Sequence, residues 1–233
     1  MNSNFRKFSN YIVPSLLLLF LFNCTTSTKY SKEDKIMRIG DEYIPMNIGN
    51  KWVYSVKRYE NNELLEDYKL QVEIIDYASI EYDNDSVNVF IFKESKDKQG
   101  DSPLYYLLNI TNDGIYWWGH SVHGNNIGGN NDSYYYSKKV YIKYPPIIGD
   151  SWIHDYGDYS DRFEYIDTKD SVYVNDELFL CAKIRMGNPI SWYIDYYYSK
   201  GVGLLKEIHV NIVNEKLDTT LEKILDENYL NNS

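Results

Sequence analysis

A ten-residue segment occurs twice in this chain, one hundred positions apart, and that repeat limits what the chain can fold into. Pro45-Met46-Asn47-Ile48-Gly49-Asn50-Lys51-Trp52-Val53-Tyr54 aligns with Pro145-Pro146-Ile147-Ile148-Gly149-Asp150-Ser151-Trp152-Ile153-His154. The shared pattern is Pro-x-x-Ile-Gly-Asn/Asp-x-Trp-Val/Ile. The proline starts an extended segment, and glycine followed by Asn or Asp makes a turn that accepts positive φ. The tryptophan then enters a strand and plugs a core. Each copy opens a half of the chain that includes a glycine-containing aromatic hairpin, at 105–118 and at 192–205. Two copies of this length are not a solenoid. Each half buries too little by itself, so the halves are predicted to share one core.

The period of the apolar residues names the class. Tyr68, Leu70, Val72 and Ile74 are spaced by two with polar residues between, which marks a half-buried strand. Val87, Val89 and Ile91 interleave with Phe90 and Phe92, as in a strand covered on both faces. The same behaviour recurs at Trp52-Tyr54-Val56, Phe163-Tyr165, 178–185, 192–198 and 204–213. Turn chemistry separates these runs at Asn61-Asn62, Asn84-Asp85, Asn112-Asp113-Gly114, Asn175-Asp176 and Asn214-Glu215. The mature part carries no convincing long helix. Leu217, Leu221, Ile224 and Leu225 fit a short helical face, but the turn at Asn214 favours a last strand returning onto 204–213. The prediction is all-β: an antiparallel, strongly curved sheet or open barrel of two related β-meander halves, 44–140 and 144–230.

The N-terminus gives an address. Residues 11–22 form an apolar run interrupted by Pro14, preceded by Arg6 and Lys7 and followed by Cys24. A membrane-spanning helix needs about 20 apolar residues, so the run reads as the centre of a secretory signal. Leu21-Phe22-Asn23-Cys24 resembles the bacterial lipobox, although Asn23 stands where Gly, Ala or Ser is usual. The resemblance implies cleavage before Cys24 and a diacylglyceryl anchor on its sulfur, which fixes the chain to a membrane. The other reading is an ordinary secretory signal with an incidental cysteine. Thr25, where Asp would retain a lipoprotein in the inner membrane, leans toward the outer membrane. The expected plan is a signal peptide at 1–23, a polar tether at 24–38 and a single β domain at 39–233.

Removing residues 1–23 leaves 210 residues and takes the net charge from −10 to −12. That acidity argues against nucleic acid, whose phosphates need clustered Lys and Arg, and against contact with an anionic membrane face. It suits the solubility of a tethered domain. With Cys24 lipidated, Cys181 has no intrachain partner, so no disulfide supports the fold. Cys181 lies in the apolar stretch 178–182 and reads as a small core residue.

Three segments, 44–54, 174–184 and 196–207, resemble uncharacterised bacterial secreted proteins and lipoproteins. Members of that group carry a Pro-x-x-x-Gly-Asn-x-Trp start, a Gly-x-Phe-x-Cys-x-Lys-Ile-like strand and a Tyr-Tyr-x-x-Gly-Val-Gly-Leu-x-Lys end. Here the strand is Glu177-Leu178-Phe179-Leu180-Cys181-Ala182-Lys183-Ile184, without the glycine. The end is Tyr197-Tyr198-Ser199-Lys200-Gly201-Val202-Gly203-Leu204-Leu205-Lys206. The resemblance implies an antiparallel β fold and a cell-envelope location, and it supplies no reaction.

Catalytic and metal signals are weak. His120-x-x-His123 with Asp132 has two imidazoles at a ligating spacing, but a second ligand pair is missing and a solvated loop is the plainer reading. Asp155, Asp158 and Asp161 lack the order of an EF-hand loop and read as an acidic turn. No nucleophile elbow, Walker loop or dinucleotide fingerprint occurs. No enzyme activity, cofactor or metal is expected. The aromatic load points elsewhere. The chain has 25 tyrosines, with runs at 134–136 and 196–198 and the pair Trp117-Trp118. Neighbours on a strand face opposite ways, so these residues cannot all enter one core. Trp117, Trp118, Tyr135 and Tyr197 are the candidate ligand-binding residues. The expected function is a non-enzymatic, membrane-anchored envelope lipoprotein that binds a partner protein, or an apolar or glycan ligand, through aromatic surface. A structural protein without a ligand, or a hydrolase, are the alternatives.

Overall fold

Period-two alternation becomes twelve antiparallel strands in a computed structural model that describes residues 43–98, 100–121, 137–188, 190–213 and 216–230. Cys24, the tether, His123, Asp132 and Tyr135 lie outside the described residues. The first half holds β1 (Lys51–Glu60), β2 (Glu63–Tyr82), β3 (Asp85–Lys96), β4 (Leu104–Thr111), β5 (Gly114–Ser121) and β6 (Lys139–Lys143). The second holds β7 (Ser151–Asp155), β8 (Ser160–Val174), β9 (Glu177–Asn188), β10 (Trp192–Ser199), β11 (Gly203–Val213) and β12 (Lys216–Tyr229). Each half is a simple meander. β1 and β12 join them, giving the sheet order β6-β5-β4-β3-β2-β1-β12-β11-β10-β9-β8-β7. The sheet curls into a nearly closed barrel, and the last strand pairs back onto β11 as its turn predicted.

The repeat is a repeat of conformation. In the first copy the Gly49 amide donates to the Ile74 carbonyl (2.7 Å), and the Ile74 amide donates to the Asn50 carbonyl (2.9 Å). In the second, Gly149 donates to Tyr165 (2.8 Å) and Tyr165 to Asp150 (3.0 Å). Gly49 and Gly149 take φ of 87° and 82°, a region glycine enters without steric cost. The hairpins follow their residue chemistry too. Asn61-Asn62, Asp83-Asn84 and Asn175-Asp176 all have positive φ, as two-residue turns between twisted strands require. The second of these sits one residue earlier than the predicted Asn84-Asp85.

Inward-facing Trp52, Tyr54, Leu70, Ile74, Tyr165 and Leu205 belong to one core shared by both halves. Cys181 joins it at 1% exposure. Burial pushes its thiol up to about 11, which keeps it protonated and inert. A second, smaller cluster of Ile80, Val89, Ile91, Leu107, Tyr116 and Trp118 sits on the opposite face of β2–β5. This accounts for the two-sided apolar pattern of β3.

The halves differ at their joints. β1 and β12 form a ladder from Lys51↔Tyr229 to Arg58↔Leu221. Their counterparts β7 and β6 have only five residues each and end the sheet without a ladder between them. Side chains span that seam instead. His154 Nε2 lies 2.6 Å from the Val140 carbonyl, and the Tyr165 hydroxyl donates to the Lys143 carbonyl at 2.6 Å.

The repeated tryptophans differ in the same way. Trp52 Nε1 donates to the Val202 carbonyl (2.6 Å) in the β10–β11 turn. Gly203 allows this approach, because a Cβ there would lie 3.2 Å from that nitrogen. The matching β4–β5 turn is shorter, and Trp152 Nε1 is buried without a hydrogen-bond partner among the described residues. Both lose similar volume on replacement by Phe, but only Trp52 loses a hydrogen bond. Trp52→Phe is therefore expected to destabilise by about 1–2 kcal/mol more than Trp152→Phe in urea unfolding. Equal losses would contradict the assignment.

Candidate functional site

The barrel is not filled. Its interior holds a cavity of about 460 Å³. At one end stand Ile44, from the segment before β1, and the β10–β11 turn that holds Trp52. The β8–β9 hairpin reaches the same end of β12, where Asn175 Nδ2 donates to the Asp226 carbonyl (2.6 Å). Toward the other end stand Trp117, Lys139, His154 and Tyr156, and the exposed ring of Tyr156 marks the rim.

Alternation along each strand builds the walls. Phe92 stacks on Trp52 (6.4 Å, 16° between planes) and on Tyr106 (5.0 Å, 13°). Tyr54, Tyr141, Tyr196 and Tyr198 line the same space. The Tyr54 hydroxyl donates to the Leu204 carbonyl (3.2 Å), and Tyr198 donates to the Tyr141 hydroxyl (3.1 Å). Burial pushes Tyr54, Tyr106, Tyr141, Tyr196 and Tyr198 up from the ordinary phenol value, and Glu207 and Glu94 add to the shift at Tyr54, Tyr106 and Tyr141.

Charged groups share this interior. Glu207 on β11 is in register with Lys223 on β12 and pairs with it at 3.4 Å. His209 Nε2 meets Glu207 at 2.6 Å. Burial alone would raise the Glu207 carboxyl, but Lys223 and His209 outweigh it and hold the group low. Burial would lower Lys223, yet Glu207 and Glu94 raise it, so the pair stays ionised. The Lys223 ammonium also lies 4.7 Å from the centre of the Tyr54 ring. Glu94 on β3 faces the cavity, and its carboxylate has no hydrogen bond or ion pair among the described residues. At the rim, burial lowers both Lys139 and His154. The neutral imidazole of His154 donates across the seam to Val140.

Of the sequence candidates among the described residues, only Trp117 lines the cavity. Trp118 is 3% exposed and packs edge-on to Tyr82 at 5.1 Å in the outer cluster, so it offers no surface to a ligand. Tyr197 faces outward, with the Lys183 ammonium 5.0 Å from its ring. One strand step separates it from Tyr196 and Tyr198, which do face the cavity. His120 is exposed, and Asp155 accepts from the Gly157 amide (2.8 Å) within an exposed turn. Among the described residues no three His, Cys, Asp or Glu side chains cluster as metal ligands. Sequence reasoning passed over Tyr54, Glu94, Tyr106, Tyr141, Glu207 and Lys223 as site residues. The signal was present in the spacing: Glu207 lies between inward Leu205 and His209, and Lys223 between inward Leu221 and Leu225.

No protein-family model and no curated protein matches the chain. Two solved structures do. One is a candidate exported protein with a YmcC-like fold from Bacteroides fragilis, 12% identical, with a TM-score of 0.45. The other is a candidate lipoprotein from Parabacteroides distasonis, 14% identical, also with a TM-score of 0.45. Each alignment covers 81% of this chain and 99% of the other.

Proposed function

We propose that this protein is a lipid-anchored, non-enzymatic envelope protein that holds a small ligand inside its barrel. The observation that carries the proposal is the unfilled interior. Small barrels fill their centres with side chains, and larger ones enclose ligand cavities. A volume of about 460 Å³ falls in the range of small-molecule sites. The lining also matches such sites, with aromatic and aliphatic walls around a few convergent polar groups. Holding, rather than converting, fits an interior whose ionised Glu207 is occupied by Lys223 and His209. The partner surface moves accordingly, from exposed aromatics to the concave face of the sheet.

Filling the cavity tests the proposal. Leu221→Trp places a large ring among the lining residues at a half-buried position and is expected to remove ligand binding while the fold persists. The anchor has its own test. Cys24→Ala is expected to move the protein from the membrane to the soluble fraction after cell breakage. Continued membrane association of that variant would sink the lipidation reading.

A further inference from the structure

We infer that the ligand of this cavity is a neutral saccharide. The inference rests on the reading of the cavity as a binding site and adds the ligand's chemical class. Three observations converge on it.

The first is charge balance. Among the lining side chains, Glu94 and Glu207 stand against Lys139 and Lys223. Burial keeps His154 on the neutral side. The cavity therefore carries no net charge for an ionic ligand to neutralise. A fatty acid or an organic amine would bring an uncompensated charge into a low-dielectric space, which is costly.

The second is unused hydrogen-bonding capacity. The Glu94 carboxylate and the Tyr106 hydroxyl face the cavity without a hydrogen-bond partner among the described residues. Tyr141 receives the Tyr198 hydroxyl and keeps its own proton to donate. Lys223 retains donors beyond its contact with Glu207. A purely apolar ligand would strip water from all of these groups and give nothing back, leaving buried polar atoms unpaired. A polyol supplies donors to Glu94 and acceptors to Lys223 and the phenols.

The third is the shape of the apolar wall. Trp52 on β1, Phe92 on β3 and Tyr106 on β4 stack nearly parallel, an aromatic row beside the polar groups. A pyranose ring has C–H bonds on its faces and hydroxyls around its edge. Its C–H faces suit the apolar wall that this row and the aliphatic lining make, and its edge suits Glu94, Tyr106, Tyr141 and Lys223.

Isothermal titration of the detergent-solubilised full-length protein tests the assignment. The ligands are glucose, galactose, mannose, N-acetylglucosamine, maltose and cellobiose, with glucuronate, glucosamine and cyclohexanol as comparators. The expected result is binding of at least one neutral saccharide at one site per chain. Glu94→Gln, which keeps side-chain shape, should weaken that binding about tenfold or more while the sheet signal in circular dichroism persists. Leu221→Trp should abolish it. Tighter binding of glucuronate or glucosamine than of glucose, equal binding of cyclohexanol, or unchanged affinity in Glu94→Gln would overturn the saccharide assignment and leave the cavity as a site for another ligand. Silence from every neutral saccharide overturns it as well. If the parent protein also carries no bound molecule in native mass spectrometry, the binding-site reading falls with it.

Discussion

Above pH 10 the protein is expected to unfold within about one pH unit. Tyr54, Tyr106, Tyr141, Tyr196 and Tyr198 hold their protons past the ordinary phenol value because they are buried around the cavity. In the unfolded chain these phenols ionise near pH 10. The folded-state values are raised, so their contribution is complete below pH 10 and is lost as pH rises beyond it. Each phenol that ionises only on unfolding lowers stability by about 1.4 kcal/mol per pH unit. Five acting together give a slope of about 7 kcal/mol per unit, comparable to the roughly 5–15 kcal/mol that holds a domain folded. Parallel titration of tyrosinate absorbance and far-ultraviolet circular dichroism checks this. The five phenols should ionise in one step that coincides with loss of the sheet signal. Gradual ionisation with the sheet intact would mean that water already solvates the barrel interior.

The second large effect concerns Glu207 and Lys223. Glu207→Leu is expected to cost about 3–5 kcal/mol, because it leaves the Lys223 ammonium buried without its counter-charge. Lys223→Met should cost a similar amount by stranding Glu207. The double variant should recover most of either loss, since a buried pair exchanged for apolar groups of like volume is often close to neutral. Strict additivity in urea unfolding would mean the two groups do not interact. The pair also makes an acid prediction. The folded Glu207 carboxyl is lowered from 4.5 to about 2. Its contribution is therefore complete above pH 4.5 and disappears as the pH falls toward 2. In Glu207→Leu that part of the acid sensitivity should be absent.

Much of this fold was legible before any coordinates. The alternation at Tyr68, Leu70, Val72 and Ile74 named β2, the Asn and Asp pairs named the hairpins, and the tryptophan repeat named the two halves. Cys181 was read correctly as core. What a period of two cannot say is which of two faces is concave. Tyr196, Tyr197 and Tyr198 are identical in sequence terms, yet the outer two line the cavity and the middle one meets Lys183 outside. Trp117 and Trp118 divide the same way. The interior charge cluster was hidden for a different reason. Glu94 comes from β3, and the Glu207–Lys223 pair from β11 and β12, so only the pairing and curvature of the sheet bring them together. The seam, too, escaped the repeat. The symmetry of the halves predicts a β6–β7 ladder like that of β1 and β12, but five-residue strands give way there to bridging by His154 and Tyr165.

The central claim is that the barrel interior is a binding site, and native mass spectrometry of the protein purified from its own cells tests it most directly. The account predicts a species heavier than the covalent chain alone, carrying one small molecule per chain, that disappears in Leu221→Trp while the variant keeps its sheet signal. A parent protein with no adduct, or the same adduct in Leu221→Trp, would contradict it.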